Sequence, residues 1–238
     1  MRLVKQNRET NERLISIEAG KATIEGSLVL PKSPIGIVLF AHGSGSSRFS
    51  PRNQYVAKRL NQAGIATLLI DLLTKEEEAI DMQTAEFRFN IKLLAQRLIE
   101  ATKWIKAYPA AATLPIGYFG ASTGAAAALI GAAELPEDVI VVVSRGGRPD
   151  LAMEYLPKVK IPVLLIVGGR DQAVINMNRD AAKLLSGEAR IEIIPGASHL
   201  FEEPGKLEIV AQLASDWLSK HFKNADNARV RGQVRSGK

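Results

Sequence analysis

The middle of the sequence carries apolar runs that few polar residues interrupt. These runs cover residues 35–40, 66–70, 116–119, 139–143 and 163–167. Continuous apolar runs of this length are typical of strands that are buried on both faces of a parallel sheet. The pattern therefore predicts a parallel sheet that is covered by helices on both sides.

A different pattern precedes these runs. Residues 14–18 and 22–30 alternate apolar and polar side chains around Ala19-Gly20, which predicts an antiparallel hairpin with one solvated face. A last short strand is predicted at residues 191–194. Helical spacing of apolar residues predicts helices between the strands, at residues 53–63, 84–105, 122–133, 174–185 and 207–222.

Alternation of strands and helices after an initial hairpin predicts the fold class. We expect an α/β fold with a doubly wound, mostly parallel sheet and an N-terminal antiparallel hairpin at its edge. The chain has 238 residues, of which 46% are hydrophobic, and this suits one domain with a substantial core. We expect that domain to span residues 1–222. Residues 223–238, with five basic residues and one acidic residue, are expected to form a basic, disordered tail.

Composition excludes several classes of function. The chain has no cysteine, so disulfides, thiolate metal ligands and a cysteine nucleophile are ruled out. The net charge of +6 comes mostly from the tail, and with 5% aromatic residues there is no interleaved basic and aromatic patch for nucleic acid. The N-terminal segment lacks the apolar stretch of a secretory signal, and no run is long enough for a membrane span. A cytoplasmic protein is expected.

Polar and glycine-rich segments follow the predicted strands at the point where each strand ends. The carboxyl ends of parallel strands share one edge of the sheet, and ligands bind at that edge. The sequence therefore predicts a site built from several of these segments. The segments are His42–Ser47, Asp71, Ser122, Ser144–Arg148, Gly168–Asp171 and Gly196–His199.

Three of these residues fit nucleophilic catalysis. A serine hydroxyl needs a base within hydrogen-bond reach, and the base needs an acid that orients it. Ser122, Asp171 and His199 supply the three groups, and Gly120 and Gly124 flank the serine as a tight strand-to-helix turn requires. The alternatives are a packing serine at that turn, and an Asp171 that only caps the following helix. Asp150 is then the reserve acid.

The sequence resembles the α/β-hydrolases, and within them the lidless dienelactone-hydrolase-like group. The resemblance covers about residues 13–222 and includes the chain order of nucleophile, acid and base. It implies that Ser122 is the nucleophile, Asp171 the acid and His199 the base. It also implies an oxyanion hole formed by the backbone N–H groups of Ser44 and Thr123. The motifs that carry the resemblance are His42-Gly43-Ser44-Gly45, Gly120-Ala121-Ser122-Thr123-Gly124, Gly169-Arg170-Asp171 and Gly196-Ala197-Ser198-His199.

Two departures from the family refine the expected activity. Dienelactone hydrolases proper use a cysteine nucleophile, so the serine here favours an esterase or a related acyl hydrolase over the specific lactonase. The connection between Ser144 and Ile161, where such folds carry a cap, is short. We therefore expect no large cap and an open pocket for small substrates.

Arginines near the predicted site suggest a substrate preference. Arg145 and Arg148 follow a strand, and Arg48 lies in the predicted oxyanion loop. Guanidinium groups bind carboxylates through two parallel hydrogen bonds. Our hypothesis is that Arg48 or Arg145 binds an anionic substrate. The alternative is a structural ion pair with Asp150 or another nearby acid.

Other candidate residues receive structural roles. His42 is expected to support the oxyanion loop by hydrogen bonding, and His221 to lie at the end of the last helix. The acidic run Glu76–Glu78 is expected to be a solvated loop, because adjacent carboxylates are weak support for a metal site.

The sequence thus predicts a serine hydrolase that cleaves an ester, thioester or lactone of a small substrate through an acyl-enzyme, with no cofactor and no metal. An acyltransferase or perhydrolase would use the same three residues with another acceptor. A catalytically idle binding protein is a further alternative. A nucleotide-binding loop over Gly117–Gly131 is disfavoured, because neither phosphate-binding glycine motif is present.

Overall fold

The computed structural model of the chain describes residues 3–7 and 12–236. Within them nine strands form one sheet in the order β1-β2-β3-β5-β4-β6-β7-β8-β9. The strands β4 to β9 are mutually parallel, and β1, β2 and β3 add an antiparallel edge through the β3–β5 pair. In chain order the strands are β1 (Leu3–Asn7), β2 (Glu12–Ala19), β3 (Ala22–Val29), β4 (Ile37–Ala41), β5 (Ala66–Ile70), β6 (Ile116–Ala121), β7 (Val139–Arg145), β8 (Val163–Gly168) and β9 (Ala189–Ile194).

The strand order confirms the predicted doubly wound sheet. Chain progression runs in opposite directions on the two sides of β4, which lies between β5 and β6. Such a switch point opens a crevice at the carboxyl ends of the strands. The loops after β4 and β6 flank this crevice, and they contain Ser44 and Ser122. Strand β1 was not predicted.

Six helices cover the two faces of the sheet. Helices α1 and α6 pack on one face, against Val38, Phe119 and Val141, whereas α3 and α4 pack on the other. Both faces of the central strands are therefore buried, as their uninterrupted apolar sequences predict. The helices are α1 (Pro51–Gln62), α2 (Lys75–Thr84), α3 (Ile91–Ala107), α4 (Thr123–Glu134), α5 (Gln172–Leu184) and α6 (Lys206–Ser236).

The segment between β5 and α3 differs from the prediction. The single long helix expected over residues 84–105 is wrong, because Ala85 adopts a left-handed conformation (φ 56°) and ends α2. The Asp81 carboxylate then accepts hydrogen bonds from the N–H groups of Phe87 and Arg88, both at 2.8 Å. Asn90 caps the new helix α3 by accepting from Leu93 N–H. These local bonds define a turn that apolar periodicity does not reveal.

The acidic run also lies in regular structure. Glu76–Glu78 forms the first turn of α2, so the prediction of a solvated loop is wrong. Thr74 and Glu77 form a capping box, in which each side chain accepts from the other residue's backbone N–H. Carboxylates in a first turn also favour the helix through its dipole. The acidic residues therefore begin a helix that lies beside the predicted oxyanion loop, His42–Ser47.

The last helix extends past its predicted end. The sequence predicts a disordered tail after Phe222, whereas the backbone of α6 continues as a helix to Ser236. The added segment has no proline, and its alanine, arginine and glutamine residues favour helix. The helix boundary is therefore corrected from residue 222 to 236. Residues 237–238 lie outside the described residues, and a domain limit at residue 222 stays a prediction.

Candidate active site

Ser122 lies in a strained turn between β6 and α4. Its backbone adopts φ 51° and ψ −120°, a conformation that costs a non-glycine residue about 1–3 kcal/mol. The Ser122 N–H donates to the Arg145 carbonyl and the Ser122 carbonyl accepts from Arg148 N–H, both at 3.1 Å. A Cβ at Gly124 would collide with the carbonyl oxygens of Ala41 and His42. The tight turn thus depends on glycine beside the serine.

The hydroxyl of Ser122 is not used as a helix cap. A serine that precedes a helix usually accepts a hydrogen bond from a backbone N–H in the first turn. At Ser122 that side-chain bond is absent, although Ser50 and Thr74 make it at the starts of α1 and α2. A serine kept only for packing or capping would not need this strain. The geometry therefore argues for a free Oγ at the sheet edge.

His199 and Asp171 form a hydrogen-bonded pair. The distance from His199 Nδ1 to Asp171 Oδ2 is 2.7 Å. With Nδ1–H donating to this carboxylate, Nε2 carries the lone pair of the neutral imidazole. The other oxygen of Asp171 accepts from Val174 N–H at 3.5 Å, so Asp171 also caps α5. Asp150, the reserve acid, instead pairs with Arg148.

Ser122, Asp171 and His199 line one pocket. It is open to solvent and has a volume of about 480 Å³. The structure therefore brings the three sequence-predicted residues to the same edge of the sheet. The remaining lining residues are Arg148, Arg170, Val174 and Ser198.

Ionic and polar contacts brace the loop that carries His199. Both carboxylate oxygens of Glu203 lie 3.0 Å from the N–H of Ser198, and this contact lowers the pKa of Glu203. Arg170 Nε donates to the Gly196 carbonyl at 2.7 Å. The imidazole therefore projects from a loop that is held on both sides of it.

Ser44 and Thr123 lie next to each other beside the serine. Their hydroxyl oxygens are 3.0 Å apart, and Ser44 Oγ also donates to the Arg88 carbonyl at 3.3 Å. A Cβ at Gly43 would lie 3.1 Å from Ser122 Cβ, so this loop directly contacts Ser122. Among the described residues, none accepts a hydrogen bond from the backbone N–H of Ser44 or Thr123. These two N–H groups are the ones predicted for an oxyanion hole.

His42 supports the loop that contains Gly43 and Ser44 through two hydrogen bonds. Its Nδ1 lies 2.9 Å from the Gly43 carbonyl, and its Nε2 accepts from Leu72 N–H at 3.0 Å. Burial lowers the pKa of His42, and this keeps the ring neutral and able to accept. The bonds match the supporting role predicted for His42.

The two predicted anion-binding arginines do not line this pocket. Arg48 donates from its backbone and from Nη1 to Asp71, and from Nη2 to Glu25 at 2.7 Å. Arg145 projects towards α1, where Nη2 lies 3.5 Å from Asn53 Oδ1. Both arginines therefore lie outside the lining of this pocket, and their contact with an anionic substrate stays a prediction.

Two other arginines line the pocket. Arg148 donates to both oxygens of Asp150, at 2.9 and 2.7 Å, and this pairing raises the pKa of Arg148. Arg170 is more exposed, with 63% of its side-chain surface accessible. The sequence signal for Arg170 is its place beside Asp171, directly after β8.

A groove with a mixed polar and apolar lining lies beside the Arg148–Asp150 pair, and Asp150 is part of that lining. It has a volume of about 490 Å³, and Phe89, Met153 and Tyr155 are among its lining residues. Phe89 is 57% exposed and Met153 is 38% exposed. Other large apolar side chains are exposed in segments at the same sheet edge, namely Phe49, Ile80, Met82 and Leu200. Several large apolar side chains are therefore accessible to solvent in these segments.

A strained serine at the switch point of a doubly wound sheet is the arrangement of the α/β-hydrolases, and this chain is one of them. Residues 24–225 match the dienelactone hydrolase family. This match spans most of the chain, and the chain belongs to that family. The predicted resemblance is therefore confirmed.

Known proteins of similar structure agree with this assignment. The crystal structure of a dienelactone hydrolase from Anabaena variabilis has 60% sequence identity and a TM-score of 0.87, and the match covers 88% of this chain and 97% of that one. A serine hydrolase without a lid from Xanthomonas campestris shares the fold, with 18% identity and a TM-score of 0.71, over 88% of this chain and 94% of that one.

A third relative carries a different name. A Mycobacterium tuberculosis protein named as a phosphoribosyl transferase is 55% identical over 208 residues, which are 87% of this chain and 46% of that protein. The chain thus spans about half the length of the curated relatives it matches. That name therefore describes a protein with a large region that this chain does not match.

Two further observations concern the described residues. No helix there is both long enough and apolar enough to cross a membrane. No group of three or more potential metal ligands lies together in that part of the chain.

Proposed function

We propose that the protein is a serine hydrolase that cleaves a carboxylic ester, thioester or lactone of a small substrate through an acyl-enzyme. The observation that carries the proposal is the uncapped Ser122 in its strained turn, lining one pocket with the hydrogen-bonded His199–Asp171 pair. The fold alone would not support it, because hydrolase folds also serve other functions.

The proposed reaction begins with proton transfer. His199 Nε2 takes the proton of Ser122 Oγ as the oxygen attacks the carbonyl carbon, and Asp171 stabilises the imidazolium. The N–H groups of Ser44 and Thr123 hold the negative charge on the carbonyl oxygen. The bond to the leaving group then breaks, and His199 returns its proton to that group. Water, activated by His199, attacks the acyl carbon and releases the acid and the free serine.

Charge around the pocket supports a preference for anionic leaving groups. Arg148 and Arg170 line the pocket with His199, and the leaving group must lie near His199 to receive its proton. Arg170 is largely exposed, and its ion pair with Glu203 is long, at 3.6 Å. Its guanidinium can therefore turn to a carboxylate or phosphate on the substrate without breaking a short ion pair.

The opposite side of the serine supports an apolar acyl group. The oxyanion loop lies there, and Ser44 contacts the Arg88 carbonyl, directly before Phe89. An acyl chain that leaves the carbonyl away from His199 would reach the groove at Phe89 and Met153. Phe89 and Met153 are the exposed apolar side chains of that groove, and they can bind alkyl or aryl groups by excluding water.

A direct experiment tests the hydrolase proposal. The protein is treated with a fluorophosphonate probe and assayed with short-chain p-nitrophenyl esters, with Ser122→Ala as the matched variant. We expect labelling and turnover in the wild type and neither in the variant. Absence of Ser122-dependent labelling and turnover would refute the proposal and leave a binding protein as the explanation. Acyl transfer or perhydrolysis would appear as new products when an alcohol or hydrogen peroxide is added.

A further inference from the structure

Arg145 is a buried cation that has no carboxylate partner among the described residues. The residue is 6% exposed, its Nε has no hydrogen-bond partner, and Nη2 reaches only the Asn53 amide oxygen at 3.5 Å. Burial and the neighbouring Arg52 lower the pKa of Arg145 to about 10. The group therefore remains charged at neutral pH, and a buried charge without an opposite charge destabilises the folded state.

Other buried arginines of the chain do have such partners. Arg48, which is 9% exposed, pairs with Asp71 and Glu25. Arg97, which is 6% exposed, pairs with Glu77. Among the buried arginines that the structure describes, the missing carboxylate partner is thus specific to Arg145, and such exceptions concentrate at functional sites.

The side chain of Arg145 contacts the turn that carries His199. Its guanidinium carbon lies 6.0 Å from the ring centroid of Phe201, a cation–π contact. Phe201 is 1% exposed and holds a left-handed backbone conformation, with φ 58°. Its N–H donates to the Ser198 carbonyl at 3.3 Å, which closes a turn around His199. The buried ring therefore anchors the turn against the end of β7.

The backbone at the same point contacts the nucleophile. The Arg145 carbonyl accepts the Ser122 N–H at 3.1 Å. A Cβ at the next residue, Gly146, would lie 3.1 Å from the His199 carbonyl oxygen. The end of β7 thus touches both the serine and the histidine turn, so it can fix the separation between them.

We propose that Arg145 is a positioning residue, whose guanidinium holds the Phe201 ring and through it the turn that presents His199 to Ser122. The proposal rests on the proposed hydrolase function. Replacing the cation removes none of the reacting groups but loosens the turn that carries His199. The structure therefore predicts an enzyme that gains or keeps stability and loses turnover when Arg145 is replaced.

The test compares Arg145→Met with Arg48→Met, two substitutions of the same kind at equally buried arginines. We expect Arg145→Met to unfold at the wild-type temperature or above it, because an unpaired charge has been removed. Arg48→Met should unfold earlier, because Asp71 and Glu25 lose their partner. With a short-chain p-nitrophenyl ester, kcat of Arg145→Met should fall about ten- to a hundredfold while KM changes less than about twofold. Arg145→Lys, which keeps the charge, should recover part of that loss.

Three outcomes would overturn the proposal. One is a kcat of Arg145→Met equal to that of the wild type. Another is a kcat loss together with an unfolding temperature below that of the wild type, because this would indicate general damage to the fold. A rise in KM alone would likewise contradict positioning and indicate a binding role.

A spectroscopic readout keeps the test independent of turnover. The chain has only three histidines, so their imidazole signals can be resolved by NMR. Arg145→Met should shift or broaden the ring signals of His199 and leave those of His42 and His221 in place. Unchanged His199 signals would refute the positioning role even if the wild type proved inactive, whereas a lack of Ser122-dependent turnover refutes the hydrolase proposal by itself.

Discussion

Asp171→Asn gives a sharp test of the proposed mechanism, because the substitution separates two roles of one side chain. Asp171 accepts from His199 Nδ1 at 2.7 Å and caps α5 through Val174 N–H. Asparagine is as good a helix cap as aspartate, so stability should change by less than about 1 kcal/mol. Its amide can donate to Nδ1, however, and this moves the imidazole proton to Nε2, where the ring can no longer accept from Ser122.

The expected loss in turnover is large. The corresponding change in a Ser-His-Asp protease lowers kcat by about 10⁴, and we expect a drop on the order of 10³–10⁴ here. The assay is p-nitrophenyl acetate hydrolysis at saturating substrate, with thermal unfolding measured on the same samples. Asp180→Asn is the matched control, since Asp180 lies on the same helix and pairs only with exposed Lys183. A variant that keeps more than about a tenth of wild-type kcat, once folded, would refute the role assigned to Asp171.

Three further predictions follow from the geometry. Burial lowers the pKa of His42 in the folded state, so its contribution to stability is complete above the pKa of the unfolded state, about 6.5, and declines as the pH falls below that value. The unfolding temperature should therefore change less between about pH 5 and 7.5 in His42→Gln than in the wild type. In urea unfolding, Gly124→Ala should lower the free energy of unfolding by several kcal/mol, because the added Cβ collides with backbone atoms. Gly64→Ala, which meets only the strain of its positive φ, should lower it by about 1 kcal/mol. Equal losses would contradict the packing at the turn. Phe89→Ala and Met153→Ala should raise KM about five- to tenfold for an octanoate ester and leave KM for acetate nearly unchanged; parallel changes for both esters would exclude the groove as an acyl site.

The central architecture could be predicted from the sequence because the signal is strong and local. A strand buried on both faces must be apolar throughout, so β4 to β8 stand out without any knowledge of their neighbours. The site follows from topology, since all of these strands end at one edge. Ser122, Asp171 and His199 were therefore predicted to lie at one edge, and the structure places them in one pocket.

Strand geometry explains why Arg145 does not line the pocket. Side chains alternate between the two faces of a strand, and Arg145 shares the face of Val141 and Val143. It therefore points beneath α1 instead of into the crevice, whereas Arg148 lies beyond the strand end. Counting every second residue along β7 from Val141 would have placed Arg145 on the face of the sheet that α1 covers. By contrast, the break between α2 and α3 depends on local bonds from backbone N–H groups to the side chains of Asp81 and Asn90, which a periodic pattern does not encode.

The backbone conformation at Ser122, with φ 51°, lowers the stability of the fold, whereas the side chain of the same residue is the one proposed to react. Glycine adopts that conformation without strain, so Ser122→Gly should recover stability on the order of 1 kcal/mol while removing the proposed nucleophile. A laboratory selection for heat resistance that ignores turnover should therefore enrich glycine at this position. In any natural or engineered lineage of this enzyme, retention of the serine records selection for activity.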